Sequence, residues 1–333
     1  MVCPAVDLPA RRLAVAPMLD WTDRFYRYFA RQITRRTWLY TEMVTTGALL
    51  HGDAARHLRF DACEHPLALQ LGGSEPAALA QCARLATEWG YDEINLNVGC
   101  PSERVQSGAF GACLMAEPEL VADCLKAMQD VTDRAVTVKH RIGIDAQEGY
   151  AFVRDFVGTV HQRSGCRVFV VHARNAILKG LSPKENREIP PLKYAYVSRL
   201  KADFPQLEIL INGGFCSWRD VEAQWPEVDG VMIGREAYHN PWLLAEADPR
   251  GWGAPAPAVS RRAVAEAMAV FAERQIGEGV PLKAITRHIL GLYHGQPGAR
   301  QWRRMLSDPE RLRANHPRLI LDAADAVELR PAA

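Results

Sequence analysis

The sequence predicts an α/β chain, a (β/α)8 TIM barrel followed by a small all-α C-terminal helical domain, and three observations carry that expectation. Short apolar runs recur eight times between residues 13 and 235, most of them separated by helical segments. Polar residues gather where those runs end. Beyond a Pro/Gly-rich stretch at 249–257 only helical patterning remains, which divides the chain into a barrel, 1–248, and a helical domain, 249–333. An open doubly wound sheet is the alternative, but such sheets seldom repeat the unit so regularly.

Composition sets bounds on function. With 333 residues, 48% hydrophobic and 24% charged, the chain can bury one large core and a smaller companion. A net charge of +1 gives no global sign of a nucleic-acid partner, so any basic surface must come from local clustering. The eight cysteines have neither CxxC spacing nor a framework rhythm, which argues against zinc and disulfides and for reduced thiols in a cytoplasm. No metal is expected. Residues 1–12 are interrupted by Pro4 and Pro9 and do not resemble a secretory leader, and no run approaches the length of a membrane span. No obligate protein partner is evident.

Taken in order, Leu13 to Met18 reads as a first strand, and Thr22 or Asp23 can cap a helix through Phe25, Tyr26 and Phe29. Strands follow at Trp38 to Val44 and Pro66 to Gly73, after which Pro76 opens a helix toward Trp89. The fourth strand, Glu93 to Val98, alternates polar and apolar residues and is stopped by Gly99-Cys100-Pro101. A glycine-rich loop carrying Cys113 comes next, then a helix from Pro118 toward Asp130 and a buried strand, Ala135 to Arg141. A helix from about Gln147 to Arg163 leads to the strand Val168 to Arg174. The connection from Asn175 to Pro191, long and rich in proline and charge, reads as a functional loop. Glu208 to Gly214 and Gly230 to Arg235 complete the eight. In the tail, Ala263, Ala267, Val270, Phe271 and Ile276 are expected to share a buried helical face.

In such a barrel the strand C-termini form the active-site face, and the polar residues there are candidates for a ligand site: Met18, Gln70, Asn97, Lys139, His172, Asn212 and Arg235. Gly213-Gly214 and Gly234-Arg235 follow the seventh and eighth strands, where barrels commonly cradle phosphate. His172 can add a phosphate contact or be a satisfied structural residue. Lys139 on an apolar strand needs an anionic partner, either a neighbouring carboxylate or a reduced flavin whose electronics it would tune. Cys100 reads as a buried packing residue. Cys113 is the better acid, because a thiol protonated at neutral pH can quench a carbanion-like centre. A basic cluster in the tail, Lys283, Arg287, Arg300, Arg303, Arg304, Arg311, Arg313 and Arg318 with Trp302 among them, points to RNA.

Ala16-Pro17-Met18, Asn95 to Ser102, Gly111 to Met115, Val138 to Arg141, His172-Ala173-Arg174, Asn212-Gly213-Gly214 and Met232 to Arg235 together resemble the tRNA-dihydrouridine synthases. Leu19 to Asp23 and Ser182 to Leu192 look like the bacterial A-type subfamily. The resemblance spans nearly the whole chain. It implies an FMN enzyme that reduces the C5=C6 bond of uridine at positions 20 and 20a of the tRNA D-loop, with NADPH as electron donor. It also implies that Ala16, Pro17, Met18, Gln70, Lys139, His172, Asn212, Gly213, Gly214, Gly234 and Arg235 hold FMN, that Asn97 borders the uracil, and that Cys113 is the general acid. Arg187, within the subfamily stretch, joins Asn97, Arg300, Arg303 and Arg304 as an expected substrate contact. Hydride would pass from flavin N5 to uracil C6 and a proton from Cys113 to C5, with the base drawn out of its stack. Two rival readings remain, a flavin barrel acting on a free pyrimidine and a barrel that binds RNA without turnover.

Overall fold

Eight strands form one parallel sheet in the computed structural model, which describes residues 8–102, 105, 108–255 and 259–328. They are β1 (Leu13–Val15), β2 (Leu39–Thr45), β3 (Leu67–Gly72), β4 (Glu93–Val98), β5 (Ala135–Arg141), β6 (Val168–His172), β7 (Glu208–Asn212) and β8 (Gly230–Ile233). Their order, β1-β8-β7-β6-β5-β4-β3-β2, places β1 and β2 at the two ends of the series. Those ends meet through Trp38. The Val15 N–H donates to the Trp38 carbonyl at 2.9 Å and the Trp38 N–H donates to the Leu13 carbonyl at 3.0 Å, so the sheet closes into the expected barrel and no open edge is left.

The interior explains an unusual sequence pattern. Ala14, Ala16, Trp38, Tyr40, Ala68, Val168, Val170, Leu210 and Met232 pack as one core, small residues making room for the two large rings, with Met18 against them. All six residues of β4 are buried, although every second one is polar. Alternation therefore does not mark a solvent face here. Glu93, Asn95 and Asn97 pair with side chains of β3 and β5, while Ile94, Leu96 and Val98 are fully buried on the other side.

Helix boundaries follow local chemistry. Pro76–Trp89 and Pro118–Gln129 each begin with proline, whose missing N–H costs nothing in a first turn, and the former ends at the left-handed Gly90. Tyr150–Ser164 starts later than the sequence suggests and stops at Gly165. Two short helices, Thr46–His51 and Ala54–Leu58, occupy a stretch that pattern reading leaves blank.

The chain divides into two compact units that interleave in sequence. One comprises Met1–Leu19, Trp38–Phe60 and His65–Gly234; the other comprises Asp20–Thr37, Asp61–Glu64 and Arg235–Ala333. The helix Arg24–Arg31, capped by the Asp23 carboxylate as expected, thus belongs with the C-terminal helices. Within that second unit the Arg27 guanidinium meets the Glu64 carboxylate at 2.6 Å, both buried, and Asp248 accepts from the Thr34 hydroxyl at 2.7 Å. The Pro/Gly-rich stretch begins as a helix. Ala247–Trp252 is helical and ends at the left-handed Gly253, while residues 256–258 lie outside the described set.

The helix Arg261–Gly277 corrects one expectation. Its buried face is Val264, Ala265, Met268, Ala269, Phe271, Ala272 and Gln275, and Ala263 and Val270 are exposed, Val270 by 69%. So many alanines give little amphipathic contrast, and a pattern offset by one residue fits almost as well. Among the described residues no helix is long and apolar enough to cross a membrane.

Candidate active site

Lys139 points into the barrel from β5 and is half-buried; its ammonium donates to Asn212 Oδ1 at 3.1 Å, and Asn212 Nδ2 donates to the Met232 carbonyl at 2.7 Å. The partner is a neutral amide. Burial, assisted by the Arg141 guanidinium, pushes the Lys139 pKa down to about 7, and no carboxylate among the described residues pairs with it. His172, at the end of β6, is held well below its ordinary range by burial and then by Arg141, Lys139, Arg174 and Arg187. At neutral pH it is an uncharged hydrogen-bonding group.

Arg141 shapes the surrounding loops. Its buried guanidinium donates to the carbonyls of Gly99 at 3.0 Å, Asn175 at 3.0 Å and Asn186 at 2.9 Å, and burial lowers its pKa to about 10. One cation thus ties the exit of β4 to the 175–191 loop. Asn186 folds that loop from within, its Nδ2 donating to Ile177, Leu181 and Ser182 carbonyls and its Oδ1 accepting the Ile177 N–H at 2.7 Å. Exposed Arg187 follows directly.

The remaining predicted residues distribute as follows. Ala16 donates its N–H to the Ile233 carbonyl at 2.8 Å, and Pro17 and Met18 follow, half-buried. Gln70 lies inside β3 rather than at its end and is 1% exposed; its Oε1 accepts from Asn97 Nδ2 at 2.8 Å. Asn97 Oδ1 accepts the N–H groups of Gly99 and Cys100 at 3.1 and 3.0 Å, turning the chain out of β4. Gly213 (φ 122) and Gly214 (φ 80) sit in backbone conformations open to glycine, and a Cβ on Gly213 would fall 2.9 Å from His172 Cδ2. Gly234 is less constrained, since a Cβ there would meet only Ala16 at 4.0 Å. Arg235 is exposed, belongs to the second unit and opens a helix of five residues.

Cys113 sits on a 3-10 helix, Gly111–Ala116, rather than in an irregular loop. It is half-buried, and its thiol donates to the Phe110 carbonyl at 3.1 Å. Burial pushes its pKa up, against the pull of its own N–H and that of Leu114. A protonated thiol results, as a proton donor requires. Gly111 is essential to this turn: at φ 75 its missing Cβ would fall 2.4 Å from Val105 Cγ1 and 2.6 Å from the Cys100 carbonyl. Cys100 is half-exposed with its Sγ 3.4 Å from Ser102 Oγ, so the buried packing role expected of it does not hold. The strand has already ended at Val98, and the Cys100 side chain lies within electrostatic reach of Lys139 and Arg141.

Arg300, Arg303 and Arg304 are exposed on the helix Ala299–Leu306 of the second unit, with Arg304 donating to Gln301 Oε1 at 2.7 Å. Trp302 is fully buried and donates to the Ile289 carbonyl at 2.9 Å, so it packs the unit and offers no ring to a base. Arg311, Arg313 and Arg318 pair with Asp308, Glu310 and Asp322.

The barrel residues fit a flavin phosphate and an anionic ring. Lys139, Arg141, Arg174 and Arg187 all act electrostatically on His172, beside a glycine turn where backbone comes close. Asn95, Thr137, Arg141 and Asn186 were given no individual role by sequence reading; for the first three the period-two polar residues of β4 and β5 were the available signal.

One prediction arises here. Lys139 is protonated in the unfolded chain up to about pH 10.4 but in the fold only to about 7, so the unfolded state binds the extra proton between those values. Stability of the cofactor-free protein should therefore rise with pH from about 7 to 10, and Lys139→Met should flatten that rise. Denaturant titrations of both proteins across this window check it; parallel curves would return Lys139 to an ordinary surface-like titration. The same substitution should weaken FMN binding.

A family profile described as dihydrouridine synthase (Dus) matches residues 14–328. The chain is 60% identical over 298 residues to the tRNA-dihydrouridine(20/20a) synthase of Pseudomonas aeruginosa, covering 90% of each. It is 58% identical over 321 residues to that of Pseudomonas putida, covering 96% of this chain and 94% of the relative. Against the Escherichia coli O6:H1 protein of the same name the identity is 58% over 300 residues, 90% of each. With a closed parallel barrel, an anion-seeking interior and a protonated cysteine at its rim, the chain belongs to the dihydrouridine synthase family.

Proposed function

We propose that the chain reduces uridine to 5,6-dihydrouridine at positions 20 and 20a of the tRNA D-loop, in the cytoplasm. The observation that carries this reading is the convergence of Lys139, Asn212 and His172 at the ends of neighbouring strands of the barrel, with Cys113, whose pKa burial pushes up, on the turn that follows β4. Members of the family depend on FMN and draw electrons from NADPH, and the chain carries that cofactor requirement with it. Bound in the barrel, FMN supplies the hydride for C6 of the uracil.

The protein's own residues do the rest. Lys139, at the edge between charged and neutral near pH 7, gains its proton when negative charge arrives, which strengthens their attraction. Gly213 and Gly214 let the backbone approach the phosphate, and His172 offers a neutral hydrogen bond beside them. Cys113 holds the proton destined for C5, and burial keeps it there until a basic carbon forms. Asn97 and Arg187 border the uracil. In the segment 249–333, Arg300, Arg303 and Arg304 neutralise tRNA phosphates, which offsets the cost, about a few kcal/mol, of drawing the base from its stack.

Nucleoside analysis of tRNA from cells lacking the protein tests the reading. Dihydrouridine should vanish at 20 and 20a and return with the wild-type gene. Unchanged dihydrouridine at both positions, with turnover of a free pyrimidine by the purified enzyme, would replace tRNA with a small-molecule substrate.

A further inference from the structure

Two features of the sequence that the reaction leaves unused come together within the second unit. One is Asp20 to Asp23, from the stretch that resembles the A-type subfamily; the other is the basic pair Lys283 and Arg287, both exposed and one turn apart on the helix Leu282–Ile289. That helix packs against Arg24–Arg31, which the Asp23 carboxylate caps. Asp23 Oδ2 also accepts from His288 Nε2 at 2.9 Å, and the Arg287 guanidinium donates to the carbonyl of Asp20, where the chain takes a left-handed turn (φ 64).

A ladder of aromatic rings rises through the same place. Tyr26 is fully buried, and its hydroxyl donates to the Ala237 carbonyl at 2.8 Å. Tyr238 lies against it with ring centroids 5.4 Å apart, and Trp21 stacks on Tyr238 at 4.5 Å with the ring planes 17° apart. His239 meets the Trp21 ring edge-on at 5.0 Å. The Tyr238 hydroxyl is anchored in turn, 3.1 Å from Nδ1 of the buried His288 and 3.2 Å from the Arg287 carbonyl. The ladder ends on Trp21, which is half-buried, and among the described residues no further ring or cation lies over it. An indole held this firmly from beneath loses little freedom when another flat group lands on it. Every nucleobase has a face that can extend such a stack, and exposed arginine and lysine suit the phosphate that comes with it.

We infer that Trp21 is a stacking platform for an unpaired nucleotide of the tRNA other than the one reduced, with Arg287 and Lys283 taking the adjoining phosphates, an inference that rests on the tRNA reading above. Stacking of this kind tolerates any base, so the platform supplies affinity and register rather than choice of sequence.

A double-mutant cycle between protein and RNA tests it. tRNAs with a single abasic site at each D-loop position in turn are titrated against the wild type, against Trp21→Leu, which keeps an apolar side chain without the ring, and against Trp21→Phe, which keeps a ring; Trp21→Met replaces the leucine variant should that fail to fold. One abasic position other than 20 and 20a should cost the wild type about tenfold in affinity, the usual worth of one base stack. It should cost Trp21→Phe several-fold and Trp21→Leu nothing further. On intact tRNA, Trp21→Leu should bind about tenfold more weakly with the wild-type salt slope, since no charge is lost, whereas Arg287→Gln should lower the log–log slope by about one. Equal abasic penalties in the wild type and Trp21→Leu at every position, whatever their absolute affinities, would overturn the platform and leave Trp21 to packing. A wild-type slope in Arg287→Gln would overturn the phosphate contact. A wild-type protein that binds no tRNA would instead overturn the tRNA reading, and this inference with it.

Discussion

Cys113→Ala is expected to bind FMN and consume NADPH like the wild type, yet to reduce tRNA more slowly by a factor of roughly 10²–10⁴, the usual cost of removing a general acid. The variant should fold normally. Cys113 is half-buried and its thiol donates to the Phe110 carbonyl, so alanine removes little packing. Rapid-mixing experiments separate the two half-reactions: reduction by NADPH should be unchanged, and oxidation by tRNA should slow. Near-normal oxidation by tRNA would remove Cys113 from the chemistry. Cys100→Ala serves as the comparison and should retain most activity, because its side chain is engaged with Ser102 Oγ.

The second large effect concerns RNA. Replacing Arg300, Arg303 and Arg304 together with glutamine should lower tRNA affinity and flatten its dependence on salt by about two units of log–log slope, as each lost phosphate contact releases fewer counterions. NADPH oxidation without tRNA should not change. These arginines are exposed around the buried Trp302, so the helix keeps its core when they are neutralised. Removing the tail is the poorer experiment, because residues 20–37 and 61–64 belong to the same compact unit and would lose their partners. A triple variant with the parent's affinity and salt slope would place the tRNA contacts elsewhere.

Much of this was legible in the residues. The strand Ala135–Arg141 reads correctly to the residue because an apolar run turns polar abruptly at Lys139. Pro76, Pro118 and Asp23 announce helix starts by chemistry that is entirely local. What escaped was set by distant partners. Arg141 looks like any surface arginine until three carbonyls from two loops converge on it. Glu93 and Asn95 look like the wet side of a strand, because the polar partners facing them, Gln70 and Thr137, are far away in sequence. The face of Arg261–Gly277 was misplaced because alanine fits buried and exposed positions alike. The role of Asn186 hides in a loop whose length alone was informative.

The basic side chains at the mouth of the barrel also bear on how long the protein lasts in a cell. Burial drives the pKa of both Lys139 and His172 down, so the protein without cofactor carries a standing electrostatic penalty. Whatever anion settles there relieves it, and by mass action free cofactor at a hundred times its dissociation constant adds about 2.7 kcal/mol to stability. Newly made chains should therefore become resistant to proteolysis as they load, and a shortage of flavin should thin the population of the enzyme as well as idle it.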